Sequence, residues 1–391
     1  MEDTICIDNT CLSNVEFGLA SHVESTVGPA IGLMGIGYSY GEAVSTAKDF
    51  YPNIPDVLAS SGVINSRLYS LFLNDAEDIS GSILFGAIDT DKYTGTLETV
   101  DILPDLSTGF VDRFITSITG LKVTKSGKSR TIFSGGEGGI RAYSRNAGSL
   151  PVLLDSGSSA WSVPAAVYEG IVKEYPFIDL RSGTTSCKNV NSDDYLTVEF
   201  NAQIDIQVPM TNWITPVYNK KTGDTEKTSN GDDLCSIGIV PSEGTGLGFY
   251  TCGDTIMRSM YIVYDLDNGQ MSLAQAKTGS SSSSNIKAVP AGPGGVGKVA
   301  NNYGSKVPAN TFTIVPSVSA TANVQVKTTG KPVGTATGEA AVPTAAQVEA
   351  DSSSGSGSGN SAAGGARPLG WGLWVAAASV VAVVLGAGVV L

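Results

Sequence analysis

The chain has 391 residues, of which 37 are acidic and 24 basic, and its net charge is −13. Residues 278–391 hold six basic and three acidic residues, so residues 1–277 carry a net −16. This acidity argues against a nucleic-acid partner, because nucleic-acid binding depends on Lys and Arg neutralising phosphates, and it suits a protein working outside the cell at low pH.

Residues 1–277 predict a β-rich globular region with few helices. Short apolar or alternating runs, interrupted by Gly, Asp and Asn, indicate strands over Ile5–Phe17, Leu68–Leu73, Ser82–Phe85, Leu196–Val208 and Tyr261–Leu273. A helix is predicted over Ala165–Glu174, where Val167, Tyr168, Ile171 and Val172 share one face. A second short helix is predicted over Ile54–Ser60. We therefore expect sandwich- or barrel-like β lobes.

The composition changes after Lys277. Residues 278–367 are rich in Ser, Thr, Gly, Ala and Pro, with isolated Val residues. Such a segment lacks the apolar density that offsets the entropy of ordering, so we expect a disordered stalk whose hydroxyls suit O-glycosylation.

The final residues, 368–391, end in an apolar run from Trp371 to Leu391. A triplet of small residues, Asn360–Ala362, and a short spacer precede that run. This order is typical of a glycosylphosphatidylinositol (GPI) anchor signal, and it predicts Asn360 as the attachment site, with Gly359 or Ser361 as alternatives. A tail-anchored transmembrane helix is the competing interpretation, although no Lys or Arg cluster marks a cytoplasmic side.

The five cysteines favour disulfides over a metal site. Cys6 and Cys11 lie five residues apart, which suits a bridge within a hairpin, while Cys187 and Cys235 would close a loop of about fifty residues, worth on the order of 4 kcal/mol. Cys252 is left over. With one histidine and no Cys-x-x-Cys pair, a zinc site is not expected. Disulfides imply an oxidising compartment; five buried free thiols are the alternative.

The run Val152–Ser159 is the most informative stretch of the chain. Apolar residues followed by Asp155-Ser156-Gly157-Ser158 predict a buried strand that ends in a tight turn presenting one carboxylate. A carboxylate in this setting can hold a water and exchange a proton with a second carboxylate across a cleft. We expect Ser158 to donate to the carboxylate and Ser156 to bond backbone across a lobe interface. Asp-Ser-Gly-Ser alone is also an ordinary turn.

The flanking motifs, in order, carry a resemblance to a known family. They are Ala30–Tyr38, Gly81–Asp89 followed by Tyr93–Gly95, Cys235–Ile239, and Cys252–Arg258 followed by Tyr261–Asp265. Together with the Asp155 turn, they resemble the pepsin-like aspartic proteases, and the stalk and anchor signal resemble the GPI-anchored yapsin- and candidapepsin-like group of fungi. Cys252 departs from the pattern, which usually has an aliphatic residue there.

The resemblance implies a two-lobed, all-β acid protease. Residues 1–104 correspond to an incomplete first lobe and residues 105–277 to a second lobe. In each lobe of the family an Asp-Thr/Ser-Gly turn precedes an apolar-apolar-Gly strand; here the second lobe has both and the first has only Met34-Gly35. We therefore expect the first turn, the substrate flap, a signal peptide and a propeptide to lie upstream, in a chain truncated at its N-terminus.

The resemblance further implies an endopeptidase that cleaves extended polypeptides at acidic pH, needs no metal or organic cofactor, and acts as a monomer at the cell surface. Asp155 would be half of a proton-sharing pair, and the chain alone would be inactive. Two alternatives remain: a dimer that builds one site from two single-turn chains, and a non-catalytic GPI-anchored surface protein with a degenerate protease fold.

Overall fold

The computed structural model describes residues 1–7, 10–20, 32–42, 44, 49–76, 78, 81–106, 108–136, 148–219, 222–242, 248–279 and 283–305, together with four short strands at 313–314, 326–328, 346–349 and 382–385. Asn360 and most of the predicted stalk and anchor tail lie outside these residues. Among the described residues, no helix has the length and apolar composition needed to cross a membrane.

Strands dominate the described chain, as the sequence predicts. In the first half they are β1 (Glu2–Ile7), β2 (Thr10–Glu16), β3 (Gly32–Gly35), β4 (Leu68–Phe72), β5 (Ser82–Phe85), β6 (Ala87–Asp89), β7 (Tyr93–Asp101), β8 (Phe110–Val111), β9 (Ile115–Lys125), β10 (Lys128–Ser134), β11 (Leu150–Leu154), β12 (Trp161–Val163), β13 (Thr184–Ser186) and β14 (Tyr195–Phe200).

The remaining strands are β15 (Ile204–Pro209), β16 (Ile214–Pro216), β17 (Leu234–Ile237), β18 (Ile239–Pro241), β19 (Tyr250–Cys252), β20 (Met260–Asp265), β21 (Gln270–Ala276), β22 (Ile286–Ala288), β23 (Tyr303–Ser305), β24 (Thr313–Ile314), β25 (Val326–Thr328), β26 (Ala346–Glu349) and β27 (Ala382–Leu385). The α-helices are α1 (Ile54–Ser60), α2 (Ala165–Glu174), α3 (Met210–Trp213) and α4 (Asp254–Met257).

Both helices predicted from the sequence are confirmed with their predicted bounds. In α2, the four residues expected on one face are the ones that are buried. Three of the predicted strand runs prove to be hairpins: β1–β2, β14–β15 and β20–β21. Asn201 and Gly269 adopt positive φ at the turns of the last two hairpins, which explains why polar or glycine residues interrupt each run.

Two large sheets organise the molecule. One has the order β15-β14-β9-β11-β19-β12-β18, with β10 added on β9, and it carries the Asp155 turn. The other has the order β23-β7-β21-β20-β4-β5-β26. Small sheets complete the architecture: β1-β2-β25, β13-β17-β16, β22-β6, β24-β8 and β27-β3.

The seven-stranded sheet is covered on both faces. Side chains alternate along a strand, so Tyr69 of β4 and Tyr264 of β20 lie on one face and join the main core. Phe72 and Tyr261 lie on the opposite face and join a second, smaller core. We call the face with Tyr69 and Tyr264 the inner face and the other the outer face.

Both predicted disulfides are present in the structure. Cys6–Cys11 staples the β1–β2 hairpin, where the two residues are cross-strand partners. Cys187–Cys235 ties a short 3₁₀ helix to β17. Cys252 is a buried free thiol, and burial raises its pKa, so the thiolate is strongly disfavoured at neutral pH.

The predicted start of the stalk at residue 278 is wrong for residues 283–305. These residues form β22, a 3₁₀ turn at Val296–Lys298, and β23, and they pack on the outer face. Val289 and Val296 are buried there. Although this segment is rich in Gly, Pro and Ser, its few apolar residues fall where the outer face can bury them.

Candidate active site

The Asp155 turn follows a strand that is fixed on both sides. β11 runs antiparallel to β9 and parallel to β19, and Leu154 is aligned with Cys252. The backbone N–H of Asp155 continues this pairing by donating to the carbonyl oxygen of Cys252 at 3.0 Å. Val152 and Leu154 are fully buried. The turn therefore starts from a rigid base in the middle of the sheet.

Hydrogen bonds within the turn orient the carboxylate. The N–H of Gly157 donates to Oδ1 of Asp155 at 2.9 Å, and the N–H of Ser158 donates to the backbone oxygen of Asp155 at 3.1 Å. Asp155 is partly exposed, whereas Gly157 is open to solvent. One carboxylate is thus held at a surface that a substrate can reach.

The segment after β19 crosses the turn at very short range. The N–H of Gly253 donates to the carbonyl oxygen of Ala160 at 3.1 Å, and that of Asp254 donates to Ser158 O at 2.8 Å. Oγ1 of Thr255 donates to Ser159 O at 2.7 Å. A Cβ on Gly253 would lie 2.1 Å from Ser158 O, so only glycine allows this crossing.

Aromatic side chains of the inner face form the base of the site. The rings of Tyr69 and Tyr264, which are cross-strand partners, stack with centroids 4.8 Å apart, and Phe114 packs 4.6 Å from Tyr264. Burial raises the pKa of both phenols well above its usual value, and the negative charge of Asp155 adds to the rise. The two phenols are therefore near enough to Asp155 to interact with its charge.

Residues 1–276 match the sequence profile of the eukaryotic aspartyl protease family. The chain belongs to this family. The Asp155 turn, its apolar strand and the crossing glycine are thus set in an all-β, pepsin-like fold.

Curated relatives are fungal aspartic proteases. The chain is 32% identical to the "Probable aspartic-type endopeptidase opsB" of Aspergillus fumigatus over 336 residues, covering 81% of this chain and 64% of that protein. It is 32% identical to the "Acid protease" of Saccharomycopsis fibuligera, covering 71% and 63% respectively. It is also 32% identical to "Aspartic proteinase 3" of Saccharomyces cerevisiae, covering 70% and 45%. The chain spans less than two thirds of the length of these relatives.

Burial sets the acidity of the Asp155 carboxyl group. It raises the pKa of Asp155 above its usual range, and the N–H of Gly157 partly opposes the rise. In the part of the chain that the structure describes, no second carboxylate contributes to this shift. The pKa of Asp155 therefore lies above that of an ordinary aspartate.

The expected role of Ser158 is wrong. Its Oγ donates to the carbonyl oxygen of Ala160 at 3.2 Å rather than to Asp155. The cause is local, because the turn brings Ala160 O, two residues ahead, within reach of the hydroxyl. The donor to the carboxylate is instead the backbone N–H of Gly157.

The expected bond of Ser156 to a backbone group across a lobe interface is not formed within the described residues, where its Oγ is buried without a hydrogen-bond partner. Leaving a buried hydroxyl unpaired costs about 1–3 kcal/mol. The hydroxyls of Tyr69 and Tyr264 are likewise buried and unpaired in the described chain. The described chain thus leaves the hydroxyls of Ser156, Tyr69 and Tyr264 buried and unsatisfied.

Tyr69 and Tyr264 received no role from the sequence. Each stands in a strand whose residues are all buried, so no polar-apolar alternation distinguishes the two faces. Asp254 was placed in a motif but given no function. It is largely buried beside Arg258, whose Nη2 lies 3.3 Å from its Oδ2, and burial raises the pKa of Asp254 to about 6.

Proposed function

We propose that Asp155 is one carboxylate of an aspartic endopeptidase dyad, and that a segment outside this chain supplies the second. Family membership supports the reaction class. The observation that carries the pairing is the buried, unpaired Oγ of Ser156 next to Asp155. A buried hydroxyl without a partner is costly, and a second turn packed against this one would satisfy it.

The chemistry follows from placing a second carboxyl close to Asp155. Two like charges at about 3 Å cannot both ionise, so the pair holds one proton, as aspartic proteases illustrate. The ionised member accepts a proton from a bound water, which attacks the peptide carbon, while the protonated member donates to the carbonyl oxygen. Which residue carries the proton is a property of the pair.

Within this mechanism, the chain supplies position and environment. The N–H of Gly157 fixes the orientation of the Asp155 carboxylate, and the crossing at Gly253 prevents the turn from moving. Burial already favours the protonated form of Asp155. An acid pH optimum on an extended polypeptide substrate follows, because the dyad must keep one proton.

We further propose that the protein acts as a monomer at the fungal cell surface, anchored through GPI at Asn360. The support comes from the sequence: small residues at 360–362, a spacer and an apolar terminus. Two disulfides suit the oxidising environment of that location.

The test compares two proteins. One is the 391-residue chain alone, and the other is a longer form that includes any coding sequence upstream of residue 1. Each form is assayed on a quenched fluorescent polypeptide between about pH 3 and 6. We expect activity only in the longer form and, on Asp155→Asn, a loss of kcat/KM of about a thousandfold or more. Asp193→Asn, which changes an exposed aspartate of the same lobe, serves as the matched control.

Full activity of the 391-residue chain, or an Asp155→Asn variant that cleaves normally, would contradict the proposed pairing. Sedimentation then separates the dimeric alternative from the monomer.

A non-catalytic surface protein is the second candidate function. The observation that favours it is that Asp-Ser/Thr-Gly occurs once in this sequence and Asp155 titrates without a second carboxylate in the described chain. Transcripts that start at residue 1 and encode no second acidic turn would support this role, whereas an in-frame upstream turn would support the enzyme.

A further inference from the structure

A segment predicted to be stalk is built into the protease body. Residues 283–305 place Val289 and Val296 at 1% and 4% exposure in the outer-face core. Their neighbours in that core include Phe72, Tyr93 and Tyr261. Without this segment, the outer-face aromatic and aliphatic side chains would be open to water.

Backbone pairing joins the segment to two strands of the first-half region. β22 pairs antiparallel with β6, and β23 pairs parallel with β7, where it forms one end of the seven-stranded sheet. Between them, the N–H of Val289 donates to Gly86 O at 2.8 Å, and Asn65 Nδ2 donates to Val289 O at 3.2 Å. β23 thus extends the seven-stranded sheet, and the rest of the segment covers the outer face of that sheet.

Asp89 fixes the start of the segment. This carboxylate is 2% exposed. Its Oδ1 accepts from the N–H of Asn285 and from that of Asp91, and its Oδ2 accepts from Oγ of Ser284 at 2.8 Å. Hydrogen bonds to a charged acceptor are stronger than neutral ones. The backbone N–H of Asp89 donates to Oη of Tyr261 at 2.6 Å, which connects this anchor to β20.

The far end of the segment is fixed by two tyrosines. Oγ1 of Thr99 and Oη of Tyr303 are 2.7 Å apart, and the N–H of Asn301 donates to Oη of Tyr93 at 3.3 Å. The hydrogen bonds at the two ends are therefore made to different strands, to Asp89 of β6 at the start and to Tyr93 and Thr99 of β7 at the far end.

Three glycines of the segment lie very close to neighbouring atoms. A Cβ on Gly295 would lie 2.2 Å from Pro290 O, and one on Gly304 would lie 2.0 Å from Oε2 of Glu98. A Cβ on Gly297 would lie 2.7 Å from the ring of Tyr303. At Gly295 the near atom belongs to the backbone, so a side chain there would force the chain itself to shift.

We propose that residues 283–305 are an intramolecular strap, part of the folded protease body, which closes the outer face and stabilises the strands whose inner face supports the Asp155 turn. β20 carries both sides of this coupling. Tyr261 and Val263 belong to the outer-face core that the strap completes, whereas Tyr264 lies on the inner face, in the main core that also holds Leu154, the residue before Asp155.

The test uses the full chain with Asp89→Asn, and with Asp91→Asn as the matched control. Asp91 enters the network through its backbone N–H, so its side-chain charge can be removed without touching the anchor. Limited trypsin digestion measures the rate of cleavage after Lys287 and Lys298, which lie inside the strap. We expect cleavage there to be roughly tenfold faster in Asp89→Asn, because the strap opens more often, and unchanged in the control.

A second variant, Gly295→Ala, tests the strap without altering charge, against Gly18→Ala, where a Cβ meets open space. Hydrogen exchange is followed in the strap and in β20 of each variant. Faster exchange in both supports the proposal. Faster exchange in the strap with unchanged β20, or trypsin cleavage at the wild-type rate in both strap variants, overturns it. Neither readout uses enzymatic activity, so failure of the proposed function would leave this result intact.

Discussion

The two apolar-apolar-Gly segments of the chain have very different surroundings. In the second lobe, β19 lies parallel to β11, Cys252 is fully buried, and Gly253 touches the backbone of the acidic turn. In the first, β3 is paired antiparallel with β27, Leu33 is 68% exposed, and Gly32 has open space around its Cα.

The difference shows what the acidic turn contributes to structure. The Asp155 turn covers the end of its partner strand and supplies the carbonyl oxygens that Gly253, Asp254 and Thr255 bind. The β3 segment has no such turn beside it among the described residues. The same sequence motif is therefore a tightly packed crossing in one lobe and an open strand in the other.

Alanine substitution at Gly253 and at Gly32, the glycine that begins β3, is the strongest way to break this comparison. In Gly253→Ala the new Cβ meets a backbone oxygen, which cannot move without shifting the turn, so we expect a loss of unfolding free energy of about 3 kcal/mol or more. Gly32→Ala should change stability by less than about 1 kcal/mol. Urea denaturation of both variants measures the difference; equal effects would show that the crossing is not as tight as described.

The comparison also predicts a dependence on pH. Asp254 follows the second-lobe glycine, whereas the buried Ile36 follows Gly35. Burial raises the pKa of Asp254 and of Asp265 to about 6. A carboxyl whose pKa is raised by folding stabilises the protein fully below its unfolded pKa, and this contribution is lost as pH rises through about 6. Each group should account for on the order of 2 kcal/mol.

Unfolding free energies should therefore be higher at about pH 4 than at about pH 7.5, and Asp254→Asn should reduce that difference. Asp179 provides a control of opposite sign, because hydrogen bonds from Ser182 and Arg181 lower its pKa. The stabilising contribution of Asp179 is present above its unfolded pKa and is lost in acid. Asp179→Asn should therefore not reduce the decrease in unfolding free energy between about pH 4 and about pH 7.5. A flat pH profile of the wild type would refute this account.

Removing single phenol hydroxyls should give the smallest effects, with a sign that depends on the face of the sheet. On the inner face, Tyr69→Phe and Tyr264→Phe remove buried hydroxyls that have no partner in the described chain, so each should stabilise this chain by about 1 kcal/mol. On the outer face, Tyr261→Phe removes the acceptor for the N–H of Asp89 and should destabilise by about the same amount. Thermal unfolding separates the two signs.

If a second acidic turn docks on the inner face in a longer form of the protein, the gain from Tyr69→Phe should shrink or reverse there. An equal gain in stability from Tyr69→Phe in both forms would mean that the Tyr69 hydroxyl still lacks a hydrogen-bond partner when the dyad is complete.

Local patterns in the sequence predicted much of the fold. Both helices, the Cys6–Cys11 disulfide and the Asp155 turn depend on residues that are close in sequence or on strong apolar periodicity, such as the single buried face of α2. The family resemblance, carried by several motifs in order, is confirmed by the match over residues 1–276.

The strap and the serine contacts could not be predicted in this way. Composition does not distinguish a glycine that allows flexibility from one that allows close contact, so Gly295 and Gly304 indicated a linker. In the sequence, the Ser158 hydroxyl has two nearby acceptors, the Asp155 carboxylate and the carbonyl oxygen of Ala160. Only the backbone conformation of the folded turn selects Ala160 O. The stacking of Tyr69 on Tyr264 depends on the register between β4 and β20, which pairs residues about 200 positions apart in the sequence.

The strap is the first of several additions that later residues make to the family-matching body. It ends in β23, beside β7 at one end of the seven-stranded sheet, while β24 pairs with β8, β25 with β2 and β26 with β5. Residues beyond the match to the family thus extend the body at several separate strand edges instead of at a single point.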